Sequence, residues 1–314
     1  MTAKTTSTAK TIASVTSATP STPGANNGHT GYTASPRPTF ERTSAIPFDT
    51  VTRHLWGDSG SGPVADWIYA STDKVHCLVF GLPPRGFFKH SDSYRTIFGA
   101  DVTYHVLSGT MVIANPKTGE VHPVRPGETA FFRKDTWHHA FNYSDKPLRV
   151  LEFFAPPPST GTSGAYAQKQ PYLPETDSRY TRDPWLGKLP MQQADARQEH
   201  TIHVIREADL EWRLEGSAFP ALVGLIVATE HLTAGRLQLL PGQHTDPHTH
   251  GGDEVLYVTD GVLNVKVHDG QRPDWFEMKA GDGCFVPAST AHEYWNITGE
   301  ATTLVFGVAP NYLP

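Results

Sequence analysis

Residues from the first half of the chain recur at a fixed distance in the second half. Five pairs are separated by 154 residues without a gap, and Gly109 and Gly261 add a sixth pair at a distance of 152. Self-similarity of this kind indicates two copies of one structural unit. We therefore expect two domains of one fold, over residues 45–156 and 201–314. The five pairs are Gly127 and Gly281, His138 and His292, Asn142 and Asn296, Ala155 and Ala309, and Pro156 and Pro310.

Each copy consists of short apolar runs separated by Gly, Pro, Asn and Asp. Residues 75–80 and 102–107 are examples from the first copy, and residues 254–258 and 303–308 from the second. Helical periodicity is nearly absent, and residues 191–198 are the one short candidate. Many short strands at close spacing predict an all-β protein made of sandwiches or barrels.

Two segments fall outside the repeats. Residues 1–44 are rich in Ser, Thr, Ala, Gly and Pro, and their one apolar stretch is too short for a secretory signal, so we expect a disordered tail. Residues 157–200 form a linker between the copies. Because this linker carries several aromatic residues, we expect it to pack onto the domains rather than act as a free tether.

Composition excludes several classes of function. The 314 residues contain 26 Lys and Arg against 32 Asp and Glu, so the net charge of -6 offers no basic surface for nucleic acid or an anionic membrane. The longest apolar run, residues 221–228, is too short to span a bilayer. Cys77 and Cys284 lie far apart and form no disulfide framework, which predicts a cytoplasmic location.

The strongest functional signal lies within residues 242–261. His248 and His250 are two positions apart, so on an extended strand both imidazoles point to the same face. Glu254 enters the next strand and His292 arrives from a third. Three imidazoles and one carboxylate form a mixed nitrogen and oxygen site for Fe, Mn, Ni, Cu, Co or Zn. Four protein ligands would leave two positions open on an octahedral ion, as catalysis requires.

These residues resemble the cupin superfamily. Its first motif, G(X)5HXH(X)3-4E(X)6G, is matched from Gly242 to Gly261 without a gap. Its second motif, G(X)5PXG(X)2H(X)3N, is matched from Gly281 to Asn296, except that Ser289 replaces the inner glycine. The resemblance extends over both repeats. It implies two tandem double-stranded β-helix, or jelly-roll, barrels and thus a bicupin, similar to metal-dependent cupin dioxygenases.

The first copy keeps the second motif only in part, with Arg133 at the proline position and Asp135 at the glycine position. Counting from Gly86 places Asp92 and Tyr94 at the two histidine positions of the first motif. Counting back from Gly109 places Val102 at the glutamate position. We therefore expect a structural N-terminal barrel, filled in part by two aromatic residues. These are Trp137 and Phe141; the alternative is a weaker metal site made of His90, Asp92 and His138.

Three functions fit one intact metal site. The resemblance favours a non-haem dioxygenase that uses Fe(II) and acts on a small oxygenated or aromatic substrate. A lyase, decarboxylase or isomerase would use the ion as a Lewis acid and would need a separate acid or base, for which Tyr294 and His244 are the nearest candidates. The third is a protein that binds or senses a small molecule without turnover. The sequence contains no phosphate-binding loop, nucleophile elbow or dinucleotide fingerprint, which excludes kinases, hydrolases and NAD-dependent enzymes. The sequence leaves open whether the chain forms a homo-oligomer.

Overall fold

Residues 31–182 and 195–314 are described by the computed structural model of the chain. The first copy and the segment before it form eleven strands within this part of the chain. They are β1 (Ser44–Ile46), β2 (Thr52–Trp56), β3 (Val64–Ser71), β4 (His76–Leu82), β5 (Phe87–Phe88), β6 (Asp101–Ser108), β7 (Met111–Ala114), β8 (Val121–Val124), β9 (Thr129–Phe132), β10 (His139–Asn142) and β11 (Leu148–Ala155).

The second copy repeats this arrangement with ten strands among the described residues. They are β12 (Ile202–Ile205), β13 (Glu211–Glu215), β14 (Ala221–Ala228), β15 (Thr233–Leu239), β16 (Asp253–Asp260), β17 (Val262–Val267), β18 (Trp275–Lys279), β19 (Gly283–Val286), β20 (His292–Trp295) and β21 (Thr302–Ala309).

Each barrel consists of a seven-stranded antiparallel sheet that faces a smaller sheet. The N-terminal barrel has the strand orders β12-β9-β6-β11-β4-β3-β2 and β5-β10-β7-β8, and the C-terminal barrel has β1-β19-β16-β21-β15-β14-β13 and β18-β17-β20. Side chains from both sheets meet in one core per barrel, with Phe80, Ile113 and Ala140 in the first and Leu237, Val265 and Leu304 in the second. The period-two alternation of apolar side chains therefore places alternate residues of each strand inside a barrel.

The two barrels exchange their first strands. Strand β1 pairs with β19 of the C-terminal barrel, and β12 pairs with β9 of the N-terminal barrel. The predicted domains, 45–156 and 201–314, follow chain order and assign both strands to the wrong barrel. Each exchanged strand pairs with the edge of the other sheet and covers backbone groups there that would otherwise lack a strand partner.

Part of the predicted disordered tail is packed. The backbone amide of Thr33 donates to the Tyr94 hydroxyl at 3.1 Å, and the Ser71 amide donates to the Pro38 carbonyl at 2.8 Å. The ring of Phe40 stacks on Phe285 with centroids 5.5 Å apart. The boundary predicted at residue 44 is therefore wrong for residues 31–44, where a few aromatic side chains within a Ser- and Pro-rich segment contact the barrels. Residues 1–30 lie outside the described residues.

The described part of the linker lies against the N-terminal barrel, as its aromatic residues predicted. It contains the helices α1 (Gly164–Ala167) and α2 (Arg179–Arg182) and 3-10 turns at Pro158–Thr160 and Glu175–Asp177; a further 3-10 turn, Glu207–Asp209, follows β12. The Gly99 amide donates to the Thr162 carbonyl at 2.8 Å, and the Arg95 guanidinium donates to the Gln170 carbonyl at 2.8 Å. Residues 195–197 are helical, and the rest of the predicted 191–198 helix, residues 191–194, lies outside the described residues.

The outer faces of the two seven-stranded sheets pack against each other. Tyr69 and Phe153 of the first copy lie in one buried cluster with Val305 of the second, and the Tyr69 hydroxyl donates to the Gly281 carbonyl at 2.6 Å. Cys77 is buried in this cluster and Cys284 in the C-terminal core, and both are free. Among the described residues, no helix is long and apolar enough to cross a membrane.

Replacing Gly307 with alanine is expected to destabilise this contact. A Cβ atom on Gly307 would lie 2.3 Å from Cδ1 of Phe153, which is fully buried, so the sheets would have to separate. We expect the free energy of unfolding to fall by about 1–3 kcal/mol, the usual range for overpacking a core. Urea denaturation measures the change, and Gly299→Ala is the matched control because its Cβ would meet nothing within 4 Å. Equal stability of the two variants would contradict this packing.

Candidate metal centre

Backbone pairing brings the sequence-predicted ligands together. His248 forms an isolated antiparallel bridge with His292, and each amide donates to the other's carbonyl at 2.9 and 3.0 Å. The candidate ligand nitrogens of His248, His250 and His292 all lie within 4.8 Å of one another. Glu254 lies on β16 with Oε2 3.0 Å from Nε2 of His292 and 3.7 Å from Nε2 of His250. An ion with bonds of ~2.1 Å places neighbouring donors ~3 Å apart, so this spacing fits one ion.

Backbone carbonyls fix the tautomer of all three histidines. Nδ1 of His248 donates to the Asp246 carbonyl at 2.9 Å, that of His250 to Tyr312 at 2.6 Å, and that of His292 to Thr290 at 2.8 Å. Because a carbonyl oxygen only accepts, each Nδ1 carries the hydrogen and the lone pair of the neutral ring lies on Nε2. Metal-binding histidines in proteins are oriented by the same kind of contact.

One carboxylate oxygen in the cluster is buried without a donor. Oε2 of Glu254 has no hydrogen-bond partner among the described residues, although the Nε2 lone pair of His292 is 3.0 Å away. Two acceptors at this distance repel each other, and burial prevents water from separating them. A cation between the two atoms removes this conflict. The residues present therefore fit a divalent metal ion.

The protonation states also suit metal binding. Burial, with the neighbouring His292, lowers the pKa of His248 to about 4, so its ring is neutral at neutral pH. Burial alone would raise the pKa of Glu254, but positive charge at the neighbouring His250 and His292 outweighs it and lowers the pKa to about 2, and a bound cation would act in the same direction. A neutral imidazole and an ionised carboxylate are the forms that donate to a metal.

The cluster faces a cavity of about 340 Å³ inside the C-terminal barrel. Part of its lining is apolar and comes from β14, β15 and β21, and the rest is polar. The apolar part contains Ala221, Val223, Leu237 and Phe306, and the polar residues include Glu215, Thr245, Tyr294 and Tyr312 besides the histidines and Glu254. The volume suits a small molecule.

The two predicted acid–base candidates lie in different places. Tyr294 lines the cavity, and its hydroxyl donates to Oε1 of Glu254 at 2.7 Å. Burial and the nearby Glu254 raise the Tyr294 pKa well above its usual value of 10, so the phenol stays protonated. The structure does not bring His244 to the cavity: its ring stacks on Trp295 with centroids 3.9 Å apart and an interplanar angle of 7°. His244 forms an isolated bridge with Trp295, whereas the next residue along that strand, Tyr294, is the one that lines the cavity.

Sequence reasoning missed two residues of the site. The Tyr312 hydroxyl donates to Oε2 of Glu215 at 2.6 Å, and the Tyr312 ring stacks on His250 with centroids 4.7 Å apart. Oε1 of Glu215 is buried and has no hydrogen-bond partner in the described chain. Neither residue belongs to a motif or matches the repeat, so the sequence carries no signal that joins them to the histidines.

The residues that occupy the two histidine positions of the first motif in the N-terminal barrel differ from those obtained by counting from Gly86. The His138 amide donates to the Thr96 carbonyl at 3.1 Å, in the place of the bond from His292 to His248. Thr96 and Phe98 therefore occupy the histidine positions, and assigning Asp92 and Tyr94 to them is wrong. The loop that follows Gly86 has a different length in the two copies, which shifts the count. The distance of 152 residues found at Gly109 holds back to Thr96, and it would have given the correct alignment.

The alternative metal site in this barrel is not formed. Nε2 of His138 lies 3.1 Å from the Tyr104 hydroxyl, and burial lowers the His138 pKa to about 4. His90 contacts His139 instead, with Nδ1 and Nε2 2.6 Å apart, and Asp92 pairs with Arg95 at 3.2 Å. The three candidate ligands thus have separate partners.

The aromatic residues predicted to fill this barrel lie elsewhere. Phe141 is only partly buried and contacts Phe87 and Tyr143, and Trp137 packs beside Ile97 and Ala167 under the linker. The prediction is wrong because His138, Ala140 and Asn142 point inward, so their odd-numbered neighbours point outward. The aromatic residues of the barrel core are instead Phe80, Phe88, Tyr104, Phe132 and Phe154.

A second group of potential ligands in the described chain consists of Glu120, His122 and His200. The Thr201 amide donates to Oε1 of Glu120 at 2.8 Å, and the Thr201 hydroxyl donates to Oε2 at 2.5 Å. Burial would raise the Glu120 pKa, but the nearby His122, with Nε2 3.6 Å from Oε1, and hydrogen bonds from Thr118 and Thr201 lower it to about 2. These contacts explain the cluster as an anchor for the chain that enters β12.

Comparison with known proteins supports the assignment of the fold. The family model of the cupin domain matches residues 99–154 and 235–308, one region in each barrel. No curated protein matches the chain. The chain therefore contains two cupin domains, which confirms the predicted all-β class with two tandem cupin barrels.

Three solved structures show how far the likeness extends. The putative glyoxylate-induced protein from Pseudomonas aeruginosa is 16% identical with a TM-score of 0.59, over 90% of this chain and 94% of that one. The protein Ylba from E. coli is 12% identical with a TM-score of 0.56, over 88% and 94%. Oxalate decarboxylase from Lactobacillus farciminis, solved as a formate complex, is 14% identical with a TM-score of 0.55, over 88% of both chains. At these identities the likeness concerns the fold alone.

Proposed function

We propose that the C-terminal barrel is the active site of a metal-dependent enzyme that acts on a small oxygen-bearing molecule by proton transfer, as in a lyase, decarboxylase or isomerase. The proposal rests on one observation: a carboxylate that is not needed as a ligand, Glu215, lines the same cavity as the three histidines and Glu254. A divalent ion held by His248, His250, Glu254 and His292 would polarise a bound substrate oxygen.

Glu215 and Tyr312 form a unit that can move a proton. Tyr312 donates to Oε2 of Glu215. The other oxygen, Oε1, has no hydrogen-bond donor among the described residues and lies 3.7 Å from Nε of Arg213, so it is the oxygen that would accept a proton from a substrate. Burial and the bond to Glu215 raise the pKa of Tyr312, so its phenol stays protonated and holds the carboxylate in place. A general base beside a bound substrate contributes typically 10²–10⁴-fold to a rate.

The dioxygenase predicted from the resemblance is the second candidate, and the apolar part of the cavity lining favours it. Val223, Leu237 and Phe306 would suit an aromatic substrate and dioxygen, both of which prefer apolar surroundings. This reaction requires a redox-active ion, with Fe(II) as the first choice. The oxalate decarboxylase among the structural neighbours belongs to the first reaction class and has the same fold.

Metal exchange with and without oxygen distinguishes the two reactions. The protein is stripped with a chelator, reloaded with Fe(II), Mn, Co, Ni, Cu or Zn, and incubated with hydroxy acids, keto acids and catechols. Proton transfer predicts turnover, or deuterium exchange into the substrate from heavy water, in the absence of oxygen and with a redox-inert ion. A dioxygenase predicts oxygen uptake that matches product and occurs only with a redox-active ion. Binding of metal and ligand with no turnover or exchange would contradict both and favour a sensor.

The cytoplasmic location stays a prediction. The oligomeric state is an open alternative between monomer and homo-oligomer, which size-exclusion chromatography with light scattering measures directly.

A further inference from the structure

The N-terminal barrel contains a second cavity, of about 250 Å³. Seven aromatic side chains line it, and the segment that begins at Tyr32 and the linker residues Ser163 and Gly164 border it as well. The aromatic residues that line it are Tyr32, Trp56, Phe80, Phe88, Phe98, Tyr104 and Phe154.

Two carboxyl groups point into this apolar space. Glu152 is 9% exposed and Asp66 is 5% exposed. In the described chain, Glu152 accepts no hydrogen bond and forms no ion pair, whereas Asp66 has only Nδ1 of His54, at 3.2 Å from Oδ2. Burying a carboxyl group without donors is unfavourable, and nothing in the packing of this barrel requires it. The pair therefore points to a ligand that brings its own donors.

The two barrels distribute their polar residues in opposite ways. Strand β3 pairs Asp66 with Phe80, and β14 pairs Val223 with Leu237 at the matching positions. By the repeat distance of 154, Glu152 matches Phe306. The C-terminal cavity thus has apolar residues at these positions beside its polar metal cluster. The N-terminal cavity has acidic residues there and the apolar Phe98 in place of the ligand His250.

We propose that the N-terminal cavity binds a small organic cation with N–H donors, a primary ammonium or a guanidinium group, between Glu152 and Asp66. Such a group donates to both carboxylates and compensates their burial. The aromatic walls favour it further, because a cation over a ring face is attracted by the quadrupole of the ring. The arginine that lines the cavity, Arg37, does not take this place, since it pairs with Asp73 at 2.7 Å.

Binding should be linked to the ionisation of Glu152. Burial, with the nearby Asp66, raises the Glu152 pKa to about 8, so without a bound cation this side chain is mostly a neutral acid at neutral pH. A bound cation favours the carboxylate and releases the proton, so affinity falls as pH falls below about 8, by roughly tenfold per unit. The titratable and charged groups that line the same cavity are Tyr32, Arg37, Asp66, His76 and Tyr104, and His54 contacts Asp66.

Calorimetric titration of the full chain with agmatine and butylamine tests the proposal. We expect saturable binding at pH 8 that weakens at pH 6. Glu152→Gln and Asp66→Asn should each lower the affinity by at least about tenfold, and Glu152→Gln should also remove the pH dependence. Glu152→Gln keeps the side-chain shape and removes a buried acid, so we expect it to fold at least as stably as the parent, which circular dichroism checks.

Two comparisons locate the binding. Butanol and butyrate have the size of butylamine without its positive charge. The affinity of each should be at least about tenfold lower than that of butylamine. The variant His248→Ala, altered in the other barrel, should bind agmatine like the parent. The proposal is overturned by equal binding of butanol or butyrate, by absence of binding for both amines, or by loss of amine binding in His248→Ala with retention in Glu152→Gln. This test is independent of the reaction proposed for the C-terminal site.

Discussion

Replacing His292 with alanine is expected to abolish tight metal binding. His292 lies between His248 and Glu254 in the cluster and is fully buried, so no neighbouring side chain can replace it. We expect close to one ion per chain in the parent protein and a metal affinity at least about 100-fold lower in the variant. Losing a residue that hydrogen-bonds a ligand typically lowers metal affinity by 10–100-fold, and losing the ligand itself should have a larger effect. Elemental analysis after dialysis against a graded chelator measures this.

Two controls distinguish the ligand from histidines in general. His138→Ala removes the matching residue of the N-terminal barrel, where the side chain contacts Tyr104, and His244→Ala removes a histidine that stacks on Trp295 outside the cavity. Both variants should keep one ion per chain, provided circular dichroism shows a native fold. A parent stoichiometry near two, or equal losses from His138→Ala and His292→Ala, would contradict the assignment of a single site to the C-terminal barrel.

The fold and the ligand cluster could be predicted because both depend on local patterns. The distance of 154 residues between His138 and His292 reports a duplication, and strand pleating places side chains two apart on one face. The four-residue spacing from His250 to Glu254 then leaves room only for a turn into β16. Such relations involve neighbouring residues, so they can be read without knowledge of the tertiary structure.

The remaining features depend on contacts between distant parts of the chain. The exchange pairs β12 with β9, which lies at least 70 residues earlier in the chain, and β1 with β19, which lies more than 230 residues later. No local pattern specifies these pairings. Glu215 and Tyr312 are 97 residues apart and meet only because β13 and the chain after β21 border one cavity. Glu152 sits among apolar neighbours on β11, where alternation alone predicts an interior residue but not an acid.

Replacing Glu215 with glutamine is expected to lower the rate of the proposed proton transfer by about 10²–10⁴-fold, the usual contribution of a general base. The amide retains an oxygen that can accept the Tyr312 hydrogen bond, so the stacking of Tyr312 on His250 should persist and metal content should not change. Tyr312→Phe removes the bond that orients the carboxylate, and a smaller loss of roughly tenfold is expected. Steady-state kinetics on a substrate identified by the metal-exchange experiment measures both effects.

Glu211→Gln is the matched control for this prediction, because Glu211 lies on the same strand, β13, and is exposed. It should leave kcat and metal content at the parent values. If Glu215→Gln loses the ion together with activity, Glu215 supports His250 through Tyr312 and is not a base. If Glu215→Gln keeps both the ion and full turnover, proton transfer by this residue is excluded, and oxygen uptake by the Fe(II)-loaded protein becomes the decisive measurement for the dioxygenase.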